Sequence, residues 1–139
     1  MNSSLPVGDR LALVGQLASD THAAATAKYS DPVDMSQFES AAFIVTTGTV
    51  ADEGSLQLQE STTSAFTTPV DLGDPVALAT EKPVMVGVHA DQLDVNNGSR
   101  YVRVKLLGTG GSVKAGVAVI GLNARYKPAA HDDDSVVVG

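Results

Sequence analysis

The stretch RYVRVKLLGTGGSVKAGVAVIGLNARY, residues 100–126, has the pattern of two strands around a glycine turn. Its first half alternates strictly, which places Val102, Val104 and Leu106 on one face of a β-strand. Its second half, residues 113–124, is apolar or small at nearly every position, as expected of a strand that is buried on both faces. Glycines separate the halves, and we interpret the pair as a hairpin. A small domain has little spare chain to cover the second face, so the sequence points to packing against another chain.

Similar patterns recur upstream. Residues 41–50 are mainly apolar on both faces, which predicts a central strand. Residues 55–61 alternate, with Leu56 and Leu58 inward, and are predicted to form a hairpin with that strand. Val84, Val86 and Val88 share one face of a further strand, and turn residues recur about every ten positions. This spacing is typical of antiparallel sandwiches and barrels.

We therefore predict an all-β protein, an antiparallel β-sandwich or barrel of about seven to eight short strands, over residues 24–128. Residues 129–139 form a C-terminal tail. Residues 1–23 form an N-terminal arm that is either partly helical or extended along a neighbouring surface, and both alternatives stay open. Deletion of residues 1–20 is then expected to weaken attachment to partners while the sandwich still folds. The apolar residues of the arm recur at helix-like intervals: Leu11, Val14 and Leu17.

Composition excludes several classes of function. The net charge of −7 opposes binding to nucleic-acid phosphates, so no nucleic-acid partner is expected. The chain has no cysteine, which excludes disulfides and thiolate metal sites. No apolar run approaches the roughly 20 residues that a membrane span needs, and the first residues do not resemble a secretory signal.

The sequence contains no recognisable catalytic or cofactor-binding motif. We therefore predict that the protein is not an enzyme and needs no cofactor. The segment GTGGSVK lacks the spacing of a phosphate-binding loop. The acids in HDDD, residues 131–134, are contiguous rather than alternating, which favours a solvated tail over a metal site. His89 lies near Asp91, but no nucleophile elbow is present.

Arg100, Arg103, Lys105 and Arg125 cluster in the last predicted hairpin and form a basic strip, in which Arg103 and Lys105 share one outward strand face with Tyr101. It is either a solvated strand face or a surface that meets acidic groups on a partner, and the sequence supports both equally. The predicted interface residues come from the arm, this strip, the last strand and the tail: Leu11, Val14, Leu17, Tyr101, Arg103, Lys105, Val117, Val119, Ile120, Arg125, Tyr126, Val136, Val137 and Val138.

Three segments, YSDPVDMSQFESAAFIVTTGTV, GSLQLQESTTSAF and RYVRVKLLGTGGSVKAGVAVIGLNARYKPA, resemble a group of small tailed-bacteriophage virion proteins encoded beside the major capsid gene. The resemblance spans most of the chain from residue 29 onward. The sequence departs from it at residues 61–83, where an aromatic-rich loop is expected and Phe66 is the aromatic residue present. The shared positions are Phe38, Gly48, Leu56 to Thr62, Tyr101 to Val104, and Ala124 to Pro128.

The resemblance implies a capsid decoration (cement) protein on the outer surface of the virion, made in the bacterial host cytoplasm. Its partners would be the major capsid protein and copies of itself, in a homotrimer. The same residues leave two alternatives open. One is a head–tail connector or tail component; the other is a surface-binding β-sandwich module, which the scarcity of aromatic residues in the central loop disfavours.

Overall fold

The computed structural model describes residues 11–94 and 97–124 and shows ten antiparallel strands. One 3₁₀ turn, Ala90–Gln92, follows the eighth strand, and the described residues contain no α-helix. The predicted all-β antiparallel sandwich is confirmed. The strand count exceeds the prediction because four strands have only two or three residues. The strands are β1 (Leu11–His22), β2 (Lys28–Tyr29), β3 (Val33–Asp34), β4 (Phe38–Val50), β5 (Gly54–Ser61), β6 (Val70–Asp71), β7 (Val76–Leu78), β8 (Val84–His89), β9 (Tyr101–Gly108) and β10 (Val113–Ala124).

The strands form two sheets that enclose one core. The first sheet has the order β1-β10-β4-β8, and the second has the order β2-β9-β5-β6, with β3 also paired to β9 and β7 to β5. Val102, Val104 and Leu106 of β9 point inward and are fully buried, as their alternation predicted. Phe43 and Val45 of β4 face them from the first sheet and are also fully buried.

Residues 11–22 belong to the sandwich, whereas the sequence placed them in an arm outside it. They form β1, which is extended and pairs with β10 from Leu11 opposite Leu122 to His22 opposite Val113. Ala12 is fully buried, and the His22 imidazole lies 3.0 Å from the Ala115 carbonyl oxygen. The helical alternative is wrong for these residues because their backbone is used in the ladder to β10.

Neither predicted hairpin forms. β4 and β10 lie in the first sheet while β5 and β9 lie in the second, so both connections cross the sandwich. The two crossings pack together at one end: the Ala51 N–H donates to the Ser112 carbonyl at 3.0 Å, and the Thr109 N–H donates to the Glu53 carbonyl at 2.9 Å. A side chain at Gly110 would overlap the Asp52 carboxylate. The glycine-rich segment is therefore needed for this close contact between loops.

Candidate interaction surfaces

The described residues hold no candidate metal site. No group of three His, Cys, Asp or Glu side chains in this part of the chain could hold a metal ion. The acids at 131–134 lie outside the described residues. No helix in the described ranges is long and apolar enough to cross a membrane.

His89 and Asp91 terminate a strand rather than form a reactive pair. The His89 Nδ1 accepts a hydrogen bond from the Asp91 N–H at 3.3 Å, and the His89 N–H donates to Gln92 Oε1 at 2.8 Å. Both side chains are more than half exposed, with the Asp91 Oδ2 3.4 Å from the imidazole. These bonds cap the 3₁₀ turn after β8.

Strand β10 has one face in the core and one face outside. Val117 and Val119 point inward and are covered by the chain's own second sheet. Ile120 points to the opposite face and is half-buried. Of the two apolar faces that the sequence predicted for residues 113–124, the inner face is therefore covered by the chain's own second sheet.

We call the side of the first sheet that points away from the core the outer face, and it is mainly apolar, with Gln16, Ser40 and His89 as the polar residues of its three rows. Its residues lie in three rows that follow the strand register. The side chains of Met85 and Leu13 are 71% and 37% exposed. The rows contain Leu11, Leu122, Ser40 and His89; Leu13, Ile120, Ala42 and Gly87; and Gln16, Ala118, Ile44 and Met85.

The structure separates the predicted interface residues of β1. Leu11 lies on the outer face, opposite Leu122. Val14 and Leu17 instead pack partly buried against the chain's own core. Leu11 is therefore the one of these three residues that lies on the outer face.

Arg103 is held within the molecule by two aromatic rings. Its guanidinium carbon lies 3.8 Å from the centre of the Tyr29 ring and 4.1 Å from the centre of the Phe66 ring. Its Nε donates to Gln59 Oε1 at 3.1 Å. Burial lowers the pKa of Arg103 from its usual range, while the nearby Tyr29 acts in the opposite direction. The sequence missed this cluster, although Phe66, the aromatic residue of the central loop, was its visible signal.

The other residues of the basic strip that the structure describes also lie against neighbours in the same domain. Arg100 makes a two-pronged ion pair with Asp34, at 2.7 Å from Nε to Oδ1 and 2.6 Å from Nη2 to Oδ2. Lys105 is half-buried, opposite Tyr29 and Gln57 in the register. Tyr101 is half-buried, and the guanidinium carbon of Arg100 lies 5.2 Å from the centre of the Tyr101 ring. The strip therefore ties β2, β3 and β5 to β9.

Five of the predicted interface residues lie outside the described residues: Arg125, Tyr126, Val136, Val137 and Val138.

A cleft opens between the two sheets along β8. It has a volume of about 330 Å³ and is walled by residues of β5, of the segment around β6 and β7, and of β8. The sequence did not reveal it because the wall is assembled from separate segments. Its apolar part comprises Leu56, Leu58, Leu72, Val76 and Val86, and its polar part comprises Asp74 and Gln92.

The fold resembles those of solved structures of low sequence identity. The PBSX exported protein XepA matches with a TM-score of 0.57 and 14% identity, over 88% of this chain and 41% of that chain. A protein of the Bacillus endospore appendages, described as a novel family of disulfide-linked pili, matches with a TM-score of 0.50 and 16% identity, over 88% of this chain and 99% of that chain. The Tobacco streak virus coat protein matches more loosely, with a TM-score of 0.40 and 13% identity, over 98% and 99%.

These likenesses concern the fold. The chain spans less than half of the length of the XepA chain that it matches. No family model matches the sequence, and no curated protein matches it. The molecule is thus a β-sandwich whose fold is similar to those of the PBSX exported protein XepA and a protein of the Bacillus endospore appendages.

Proposed function

We propose that the chain is a capsid decoration (cement) protein, which binds the outer shell of a phage as an oligomer and stabilises contacts between major capsid subunits. The observation that carries the proposal is the apolar outer face of the first sheet. The sequence resemblance to small phage virion proteins supports the capsid as the setting, and the fold is similar to that of the PBSX exported protein XepA. The acidic net charge suits a surface that faces away from packaged DNA.

The outer face is suited to contact with copies of the same chain. Its centre carries no charged side chain, so two acidic molecules do not repel each other there. Ala42, Gly87 and Ala118 are small, which lets a facing backbone approach closely. The outer face spans three interstrand spacings and about six residues along the strands, which gives an area of roughly 300 Å². Apolar patches of this size are often functional. A stable interface needs about 800 Å² per partner, so the outer face would be the apolar centre of a larger contact, in a homotrimer.

The chain has no cysteine, so copies cannot be joined by disulfides as in the described pili. In the proposed assembly, contacts between copies would instead rest on non-covalent packing. This favours a protein that is held on a pre-existing shell over one that forms a covalently linked fibre.

The test is the copy number of the chain per particle, measured by quantitative mass spectrometry of purified virions against the major shell protein. A copy number comparable with that of the shell protein is expected for decoration. A handful of copies would instead identify a connector or tail component. Absence from the particle would refute the virion role.

A further inference from the structure

The free edge of β8 is unlike the other sheet edges of the described molecule. The β1 edge is interrupted by two register shifts, and the Gln16 N–H donates to Asp31 Oδ2 at 3.0 Å. The edges of the second sheet are strands of two or three residues. Such short or interrupted edges prevent unwanted strand pairing. β8 has six residues in regular register with β4, no internal proline and no acid, lysine or arginine.

The backbone of β8 presents hydrogen-bonding groups at this edge. The His89 N–H points away from β4, because it donates to Gln92 Oε1. Alternation along an antiparallel ladder then directs the N–H and C=O groups of Met85 and Gly87 outward as well. Neither residue's outward groups have a partner among the described residues. An incoming strand would find these donors and acceptors in place.

The cleft beside β8 suits the side chains of such a strand. Val86 points into the cleft, whose opposite wall carries Leu58, Leu72 and Val76. A strand added next to β8 would direct alternate side chains onto these residues and the others to the exposed side of Met85. The incoming segment must therefore be apolar at alternate positions.

Charge around the cleft decides between possible occupants. Asp74 lies in the wall, Asp71 lies on the neighbouring β6, and Asp91 follows β8, whereas Lys82 precedes it. This surplus of carboxylates opposes a segment such as residues 131–139, which begins with HDDD. It attracts a segment that is flanked by lysine or arginine.

We propose that β8 is a strand acceptor: it pairs with an extended segment of a partner protein that has apolar residues at alternate positions and basic residues at its flanks. The acceptor consists of residues of this chain alone. Only the source of the strand, a major capsid subunit, rests on the proposed function.

The test uses the full chain and a synthetic peptide of alternating valine and threonine with two lysines at each end. Two comparison peptides carry glutamates in place of the lysines or have the sequence of residues 130–139. Amide hydrogen exchange by NMR reports on the edge, and fluorescence anisotropy reports affinity. The lysine-flanked peptide should slow exchange of the Met85 and Gly87 amides by roughly tenfold or more. It should leave the amide of Gln16, on the opposite edge, unchanged.

Two variants of the edge sharpen the test. Gly87→Pro removes an outward N–H that β4 does not use, and proline is tolerated at such a position. Met85→Lys adds a like charge beside the basic flanks without altering the backbone. Both should abolish protection by the peptide, whereas Gln16→Lys on β1 should not.

Three results with the peptides would overturn the proposal that β8 accepts a basic-flanked strand. They are no binding of the lysine-flanked peptide, equal binding of the glutamate-flanked peptide, and stronger binding of the peptide of residues 130–139, which would make the chain's own tail the occupant. Protection of Met85 that rises with protein concentration without peptide would instead identify a second copy's edge and also contradict the proposal. Absence of the protein from virions would remove the capsid as source but leave these peptide results standing.

Discussion

The guanidinium carbon of Arg103 lies 3.8 Å from the centre of the Tyr29 ring, and Phe66 covers its other side at 4.1 Å. Arg103 therefore joins a short edge strand and the central loop to β9. A planar guanidinium stacks on rings in a way that lysine cannot reproduce. The residue that the sequence suggested for a partner contact is thus engaged within its own domain.

Replacing Arg103 should cost stability. Arg103→Ala removes two ring contacts and the bond to Gln59, and we expect a loss of about 1–3 kcal/mol in the free energy of unfolding. Lys105→Ala, on the same strand face, should change it by less than about 0.5 kcal/mol. Urea titration of both variants measures the difference. Unchanged stability of Arg103→Ala together with weaker attachment to particles would make Arg103 a partner contact after all.

The two faces of β10 should respond differently to charge. Val119 is fully buried between the sheets, so Val119→Lys places an unpaired charge in the core and should prevent folding. Ile120→Lys places the same charge on the outer face, where the fold tolerates it but a facing copy does not. We expect a folded monomer, detected by circular dichroism and by light scattering after size exclusion. An Ile120→Lys variant with the mass of the wild-type oligomer would show that copies do not meet at the outer face.

The faces of the strands were predictable from sequence, but their partners were not. Alternation identified Val102, Val104 and Leu106 as core residues because burial on one face leaves a period of two. The same alternation is satisfied whether a strand pairs with its neighbour in sequence or crosses to the other sheet. Both predicted hairpins failed for this reason, since the crossing depends on contacts between residues 51–53 and 109–112.

The surfaces were less predictable because they are assembled from distant segments. Tyr29, Phe66 and Arg103 come together only when the loop after β5 folds over the second sheet. Likewise, the edge of β8 is recognisable only once β4 is known to be its one strand partner among the described residues. No local pattern reports which side of a strand lacks a neighbour.

Acid should weaken the link between β3 and β9. Partial burial raises the pKa of Asp34, but hydrogen bonds from Arg100 and Ser36 outweigh it and lower the pKa overall. A carboxyl group whose pKa is lower in the folded state contributes stability above its unfolded pKa, about 3.9, and loses it as the pH falls through the folded pKa. Asp34→Asn should therefore reduce the free energy of unfolding equally at pH 7 and pH 5, and progressively less below about pH 4.

Urea titrations of wild type and Asp34→Asn across this range provide the measurement. Arg100→Gln is the matched variant, because it removes the same ion pair from the other side. The double variant should be hardly less stable than either single one. A pH-independent difference between wild type and Asp34→Asn would show that the carboxylate charge contributes nothing to the fold.

Two truncations test how much β1 contributes to the stability of the sandwich, separately from residues 1–10. On the sequence alone, removal of residues 1–20 leaves the sandwich folded, but the structure reverses that expectation. The deletion takes away Ala12, which is fully buried, and the packing of Val14 and Leu17, and it exposes the edge of β10. Losses of about 1.5–3 kcal/mol per large apolar side chain approach the 5–15 kcal/mol that stabilises a typical domain.

A chain that lacks only residues 1–10 keeps all of β1 and serves as the comparison. The chain that lacks residues 1–20 should show no cooperative transition, or a midpoint far lower. If both variants unfold cooperatively at the wild-type midpoint, β1 is dispensable and the first sheet is stable with β10 at its edge. In that case attachment to particles becomes the property to compare, because the segment would then act as the arm that its sequence suggested.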